Sequence, residues 1–158
     1  MMGTASLALR RYDLARKSYE TAIALDPDYV LALVNLGVTL SLMGHFIKAI
    51  THYQASLKID PNDINSITAM GNALQFKGEY DAAIESYSKA IALAPNCAEA
   101  HNNLGNASEN QGNLQAAVKS YTQALVYQPE NEATQNNLIR ACQQLGVTDS
   151  AKDRTDRP

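Results

Sequence analysis

Between Ala98 and Gln111 the residues His101, Leu104, Gly105 and Ser108 recur at spacings of three and four, which places them on one face of an α-helix. Asn96 and Glu99 suit the cap and first turn of that helix. Gly112 suits its end, because glycine accepts the left-handed backbone that closes a last turn. Asn113 is then placed to cap a second helix, whose apolar face is Leu114, Ala117, Val118, Tyr121, Ala124 and Leu125. Pro129 cannot continue a helix and marks the next turn. The pattern predicts a helix, a tight turn, an antiparallel helix and a short turn.

That pattern is repeated along the chain. Pro27, Pro61, Pro95 and Pro129 stand 34 residues apart. So do Gly37, Gly71 and Gly105; Gly44, Gly78, Gly112 and Gly146; Ala15, Ala49, Ala83 and Ala117; Tyr19, Tyr53, Tyr87 and Tyr121; and Leu36, Met70, Leu104 and Leu138. A shared period of this size is the mark of a stacked repeat. In such arrays the working part is usually a shared surface and not a buried pocket. Residues 30–63, 64–97 and 98–131 are read as full repeats and residues 1–29 as a shortened one. In the latter only Met2 to Leu9 stands for the first helix, and Arg10 occupies the place of a glycine. Residues 132–145 read as a capping helix: Ile139 replaces the in-phase glycine, and Gln135, Asn136, Arg140, Gln143 and Gln144 give a polar outer face. Residues 146–158 are polar and charged and are expected to be a disordered tail. The first end reads as cut or as a surface for self-association, the last end as finished. The small residues Gly105 and Ala117 are the expected point of close contact between paired helices.

Composition narrows the function. Hydrophobic residues make up 46% of the chain and charged ones 18%, with Asn and Gln supplying much of the polarity. A net charge of −3 and no basic stripe argue against a nucleic-acid partner. No apolar run is long enough to insert in a membrane, and the first ten residues lack the charged start and apolar core of a signal peptide. Gly3 is one place too late for myristoylation. Cys97 and Cys142 match no metal or redox spacing and read as free thiols of a cytoplasmic protein.

Asn103-Leu104-Gly105-Asn106 with Ala117, Tyr121, Ala124 and Pro129 resembles the tetratricopeptide repeat. Asn35-Leu36-Gly37 with Ala49, Tyr53 and Pro61 matches as well, with Ser56 at the second small position, and Gly71, Ala83, Tyr87, Ala90 and Pro95 complete a third copy. Leu33, Ile67 and His101 replace the aromatic that often opens the first helix of that family. The resemblance implies an all-α, right-handed superhelical solenoid of antiparallel helix pairs, with the first helix of each pair lining a concave groove.

The positions that this resemblance turns toward the groove include Val34, Asn35, Val38 and Leu42 in one repeat and Thr68, Asn72 and Phe76 in the next. Glu99, Asn102, Asn103, Asn106 and Glu109 follow, and then Asn137 and Arg140. Such a groove is apolar near its start and rich in amides and carboxylates near its end. Val34, Val38 and Leu42 would seat a hydrophobic anchor. Amides carry both donor and acceptor and suit the backbone of an extended peptide. Glu99 and Glu109 would favour a cationic or polar segment. Some members of the family hold a C-terminal carboxylate in a clamp of three cations and two amides. Asn72 and Asn103 match the amides, but Thr68, Ala133 and Asn137 stand at the cationic places, so a terminal carboxylate is not expected here. The asparagines also resemble those of the repeat arrays in O-linked N-acetylglucosamine transferases, where a groove asparagine ladder holds substrate backbone.

His45, His52 and His101 form no metal-ligand spacing with each other or with a cysteine. No nucleophile elbow or phosphate loop is present. The reading is a non-enzymatic interaction module without cofactor or metal, which binds an extended peptide or loop of a protein partner. The alternatives are a scaffold that forms homo-oligomers through its N-terminal end, with Leu7 and Leu9 as the contact, and a substrate-docking segment of a larger glycosyltransferase.

Overall fold

A computed structural model describes residues 2–146, with side chains from Arg10 onward. Eight α-helices follow in order among the described residues: α1 (Met2–Leu25), α2 (Val30–Leu42), α3 (Phe46–Ile59), α4 (Ile64–Lys77), α5 (Tyr80–Leu93), α6 (Ala98–Asn110), α7 (Leu114–Tyr127) and α8 (Glu132–Gln144). No strand occurs among them. No helix is long and apolar enough to cross a membrane among the described residues. Of residues 146–158, expected to be a disordered tail, Gly146 instead closes α8 with φ +71°, and the residues from 147 on lie outside the described part.

The tight turns follow from one residue. Gly78 adopts φ +87°, and the amide of the residue after it, Glu79, reaches back to the Leu74 carbonyl at 2.9 Å. Gly112 does the same, with Asn113 bonding the Ser108 carbonyl at 2.8 Å. A side chain at either place would be strained by the left-handed backbone. Asn113 caps α7 through the Ala116 amide at 3.1 Å. The N-cap of α6, however, is Cys97 and not Asn96, and it makes no side-chain cap bond.

The same rule explains α1. Arg10 stands where the other copies have glycine, and the chain stays helical through it from Met2 to Leu25. The expected short first helix is therefore continuous with the second instead of folded back on it.

The chain divides into two compact units, Met1–Ala94 and Pro95–Pro158. In the first, α2 pairs with α3 and α4 with α5, α3 also lies against α4, and α1 lies against α2. Its core joins Leu36, Leu40, Ala49, Tyr53 and Ala73. In the second, α7 lies between α6 and α8, and Ala117, Tyr121 and Ala141 form the core with Val118 and Leu138 at its edge.

The close contact within each pair is made by the tyrosine and not by the alanine. A Cβ on Gly105 would stand 2.5 Å from the Tyr121 ring, on Gly37 2.5 Å from Tyr53, and on Gly71 2.7 Å from Tyr87. These tyrosines are 0–1% exposed. The glycine register exists to admit a flat ring against helix backbone. Ser56, at the second small position, is fully buried and satisfies its hydroxyl with Ser66 at 2.7 Å.

Candidate functional site

The buried tyrosines send their hydroxyls to the surface of the first helix in each pair, and what they meet there decides the character of that surface. In the first unit Tyr53 has only Ser41, at a long 3.4 Å. The place of an amide one turn earlier is taken by Val38. Tyr87 donates to Asn72 Oδ1 at 2.6 Å and to Gln75 Oε1 at 3.1 Å. In the second unit Tyr121 donates to Asn106 Oδ1 and Glu109 Oε2, both at 2.7 Å. Asn72 and Asn106, expected to offer their amides to a ligand, thus spend their carbonyl oxygens on packing.

Around α2 and α4 the result is an open apolar recess of about 380 Å3. Val38, Leu42, Phe46, Ala69 and Phe76 line it, together with the polar Ser41 and Asn72. Phe76 stacks on Phe46 with ring centres 5.5 Å apart and planes 9° from parallel, yet it remains 75% exposed. Leu42 is 61% exposed. Toward the starts of α2 and α4, Val34 and Leu31 border a second recess with Asp28, Tyr29, Asp63 and Asn65. Asn35 is half-buried, and its backbone carbonyl accepts from the Thr39 hydroxyl at 2.8 Å. Thr68, expected to face the groove, is instead buried.

On α6 and α8 the same register carries a closed polar network. Arg140 grips Glu109 with two bonds of 2.8 Å, from Nε to Oε1 and from Nη2 to Oε2. Asn137 Nδ2 reaches Asn106 Oδ1 at 3.2 Å and Asn102 Oδ1 at 3.3 Å, and Thr134 Oγ1 adds a bond to Asn102 Oδ1 at 3.1 Å. Asn103 is half-buried beside Asn102, and Glu99 is exposed. Glu109 is therefore not an unpaired anion awaiting a cationic ligand. The Arg140 hydrogen bond holds its carboxyl below the ordinary range, and burial together with Glu109 pushes the Tyr121 hydroxyl up. This cross-helix pairing, 31 residues apart, carries no sequence signal beyond opposite charge.

One of the histidines serves the fold. His101 is buried, bonds the Pro95 carbonyl through Nε2 at 2.9 Å, and stacks on Tyr127. Among the described residues no group of three His, Cys, Asp or Glu is gathered to hold a metal ion.

Comparison with known proteins places this geometry. Family models described as tetratricopeptide repeat match residues 68–144 and 30–63, and one described as TPR repeat matches residues 5–44. No curated protein matches the sequence. A crystal structure of MamA is similar over 97% of this chain and 90% of that one, with a TM-score of 0.83 and 24% identity, a likeness of fold. The first TPR of Spaghetti (RPAP3) bound to the HSP90 peptide SRMEEVD is similar over 74% of this chain and 93% of its own, with a TM-score of 0.72 and 25% identity. The NMR structure of the first TPR domain of human RPAP3 is similar over 77% and 95%, with a TM-score of 0.73 and 25% identity.

Proposed function

The chain belongs to the tetratricopeptide repeat family, whose members serve as protein-interaction modules, and from that premise we propose that it binds an extended segment of a partner protein along α2 and α4. The observation that carries this reading is the recess beside Phe76. A soluble surface rarely leaves a phenylalanine three-quarters exposed next to an exposed leucine and an open cavity unless something covers them. Burying one large apolar side chain there is worth about 1.5–3 kcal/mol, enough to set the register of a weak peptide.

A neighbour with a bound HSP90 peptide supports a peptide as the class of ligand. The ligand chemistry differs here. The cationic places of the carboxylate clamp hold Thr68, Ala133 and Asn137, with Thr68 buried and Asn137 tied to Asn102 and Asn106. The anchor is an apolar side chain, with hydrogen bonds to the peptide backbone secondary.

The test is selection of a random twelve-residue peptide library on the full chain, followed by affinity measurement for Phe76→Ser and Leu42→Ser. Selected peptides are expected to share an apolar residue and to lose at least tenfold in affinity to either variant. Peptides without a shared apolar residue, or indifferent to both substitutions, overturn the reading.

A further inference from the structure

The helices α3 and α7 each lie between two others, but among the described residues α1 lies against α2 alone. Its side chains record the difference. Ala15 and Tyr19 share registers with Ala49, Ala83 and Ala117, which are 0% exposed, and with Tyr53, Tyr87 and Tyr121, yet both are only half-buried. Leu25 is 84% exposed, whereas its in-phase counterparts Ile59, Leu93 and Tyr127 are 41%, 39% and 40% exposed. In the second unit that place stacks on the preceding helix, Tyr127 on His101 with ring centres 5.7 Å apart. Arg10 stands in phase with the left-handed glycines at which the other copies turn back, and α1 runs helical through it.

We propose that this flank of α1 is a docking site for one amphipathic helix of a partner protein, carrying glycine opposite the Tyr19 ring and leucine or methionine just before it. The chemistry of the occupant is set by the chain's own pairs. Leu36-Gly37, Met70-Gly71 and Leu104-Gly105 each lay a glycine under a tyrosine ring, where any Cβ would come within 2.5–2.7 Å. An antiparallel helix in this place ends level with Arg10 and Arg11, which are exposed. Two guanidinium groups there favour the partial negative charge of a helix C-terminus. A second copy is a poor source. Its three described Leu-Gly or Met-Gly helices already hold their own tyrosines, and α8 presents Ile139, 54% exposed, at the glycine place. Only Met2-Gly3 remains, and its surroundings lie outside the described side chains.

The probe is a synthetic peptide of residues 63–78, which contains the Asp63 cap, Met70-Gly71 and Gly78. It is titrated into the 15N-labelled full chain while amide shifts are recorded. Saturable shifts are expected across Ala15 to Leu25, with binding at least tenfold weaker for the Gly71→Leu peptide. Tyr19→Ser in the chain is expected to abolish them; if circular dichroism shows that this variant loses helix, the peptide variant alone decides. Absent shifts in α1, or shifts confined to the recess beside Phe76, overturn the proposal. Concentration-dependent association of the chain alone, mapped to α1, also overturns it by assigning the flank to a second copy. The flank is separate from the α2–α4 recess, so its failure leaves the groove reading untouched.

Discussion

The surfaces of α2 and α4 in the first unit and of α6 and α8 in the second are built on one frame and finished in opposite ways. Glycine, alanine and tyrosine hold both helix pairs at the same spacing. The residues 68 positions apart then diverge: Val38 against Asn106, Ser41 against Glu109, Leu42 against Asn110, Asn72 against Arg140, Phe76 against Gln144. Where Ser41 and Asn72 leave a recess, Glu109 and Arg140 fill the equivalent place with a two-bond ion pair. A repeat frame fixes where side chains emerge. Substitution at four or five outward positions decides whether that surface stays open for a ligand or is used up in holding its own helices.

The shared frame is the hardest part to break. Gly71→Leu and Gly105→Leu each drive a side chain into a buried tyrosine ring and are expected to cost at least about 1–3 kcal/mol, equally in both units. Thermal unfolding measures this. A glycine variant that leaves its own unit unaffected would show that the frame is not common to the two.

The hydroxyls should separate the units next. Tyr121→Phe strips a donor from Asn106 and the half-buried Glu109, for an expected loss of about 1–2 kcal/mol. Tyr53→Phe removes only a 3.4 Å contact to Ser41 and is expected to change stability by less than about 0.5 kcal/mol. Equal losses in urea unfolding would contradict the distinction.

Acid should expose the same contrast. Glu109 has its pKa lowered by Arg140, so the unfolded chain takes up this proton first. Its contribution is present above the ordinary carboxylate range and is lost as pH falls through the lowered folded value. Glu109→Gln is expected to flatten that step. The loss is expected to be about 1 kcal/mol or less, since half of Arg140 is exposed. In the first unit His52 is lowered by burial, against the pull of Glu20. Stability there should instead decline as pH drops below the usual histidine value of about 6.5. His52→Gln removes this decline, which a stability profile from pH 8 to 3 resolves.

The frame was legible in the sequence because every copy must satisfy the same backbone geometry: a left-handed glycine after the first helix, a flat ring over a bare backbone, a proline past the second. Its details were less so. Glycine and alanine are both small, and spacing alone did not say that the ring of Tyr121, and not Ala117, takes the space over Gly105. The surface was legible only as a list of outward positions. Register turns Thr68 outward, yet it is buried, and Asn72, Asn106 and Glu109, expected to meet a ligand, are already bonded within the chain. Periodicity reports direction from a helix axis. It does not report which outward groups find each other across helices 31 to 35 residues apart, as Asn137 finds Asn102 and Asn106 and Arg140 finds Glu109.

The smallest expected change in stability belongs to the residue on which function rests most. Phe76→Ser removes a ring that is 75% exposed and touches Phe46 on one side only. Surface substitutions of this kind usually stay within about 0.5 kcal/mol, so unfolding should barely register it. Binding should register it strongly, because the ring is one wall of the apolar recess that Val38 and Leu42 share. The in-phase residue of α8 is Gln144, one helical turn after Arg140, and its side chain is polar. Gln144→Ala should therefore leave both stability and peptide affinity unchanged. A chain in which Gln144→Ala weakens binding and Phe76→Ser does not would move the ligand to the second unit and make its polar network the recognition surface.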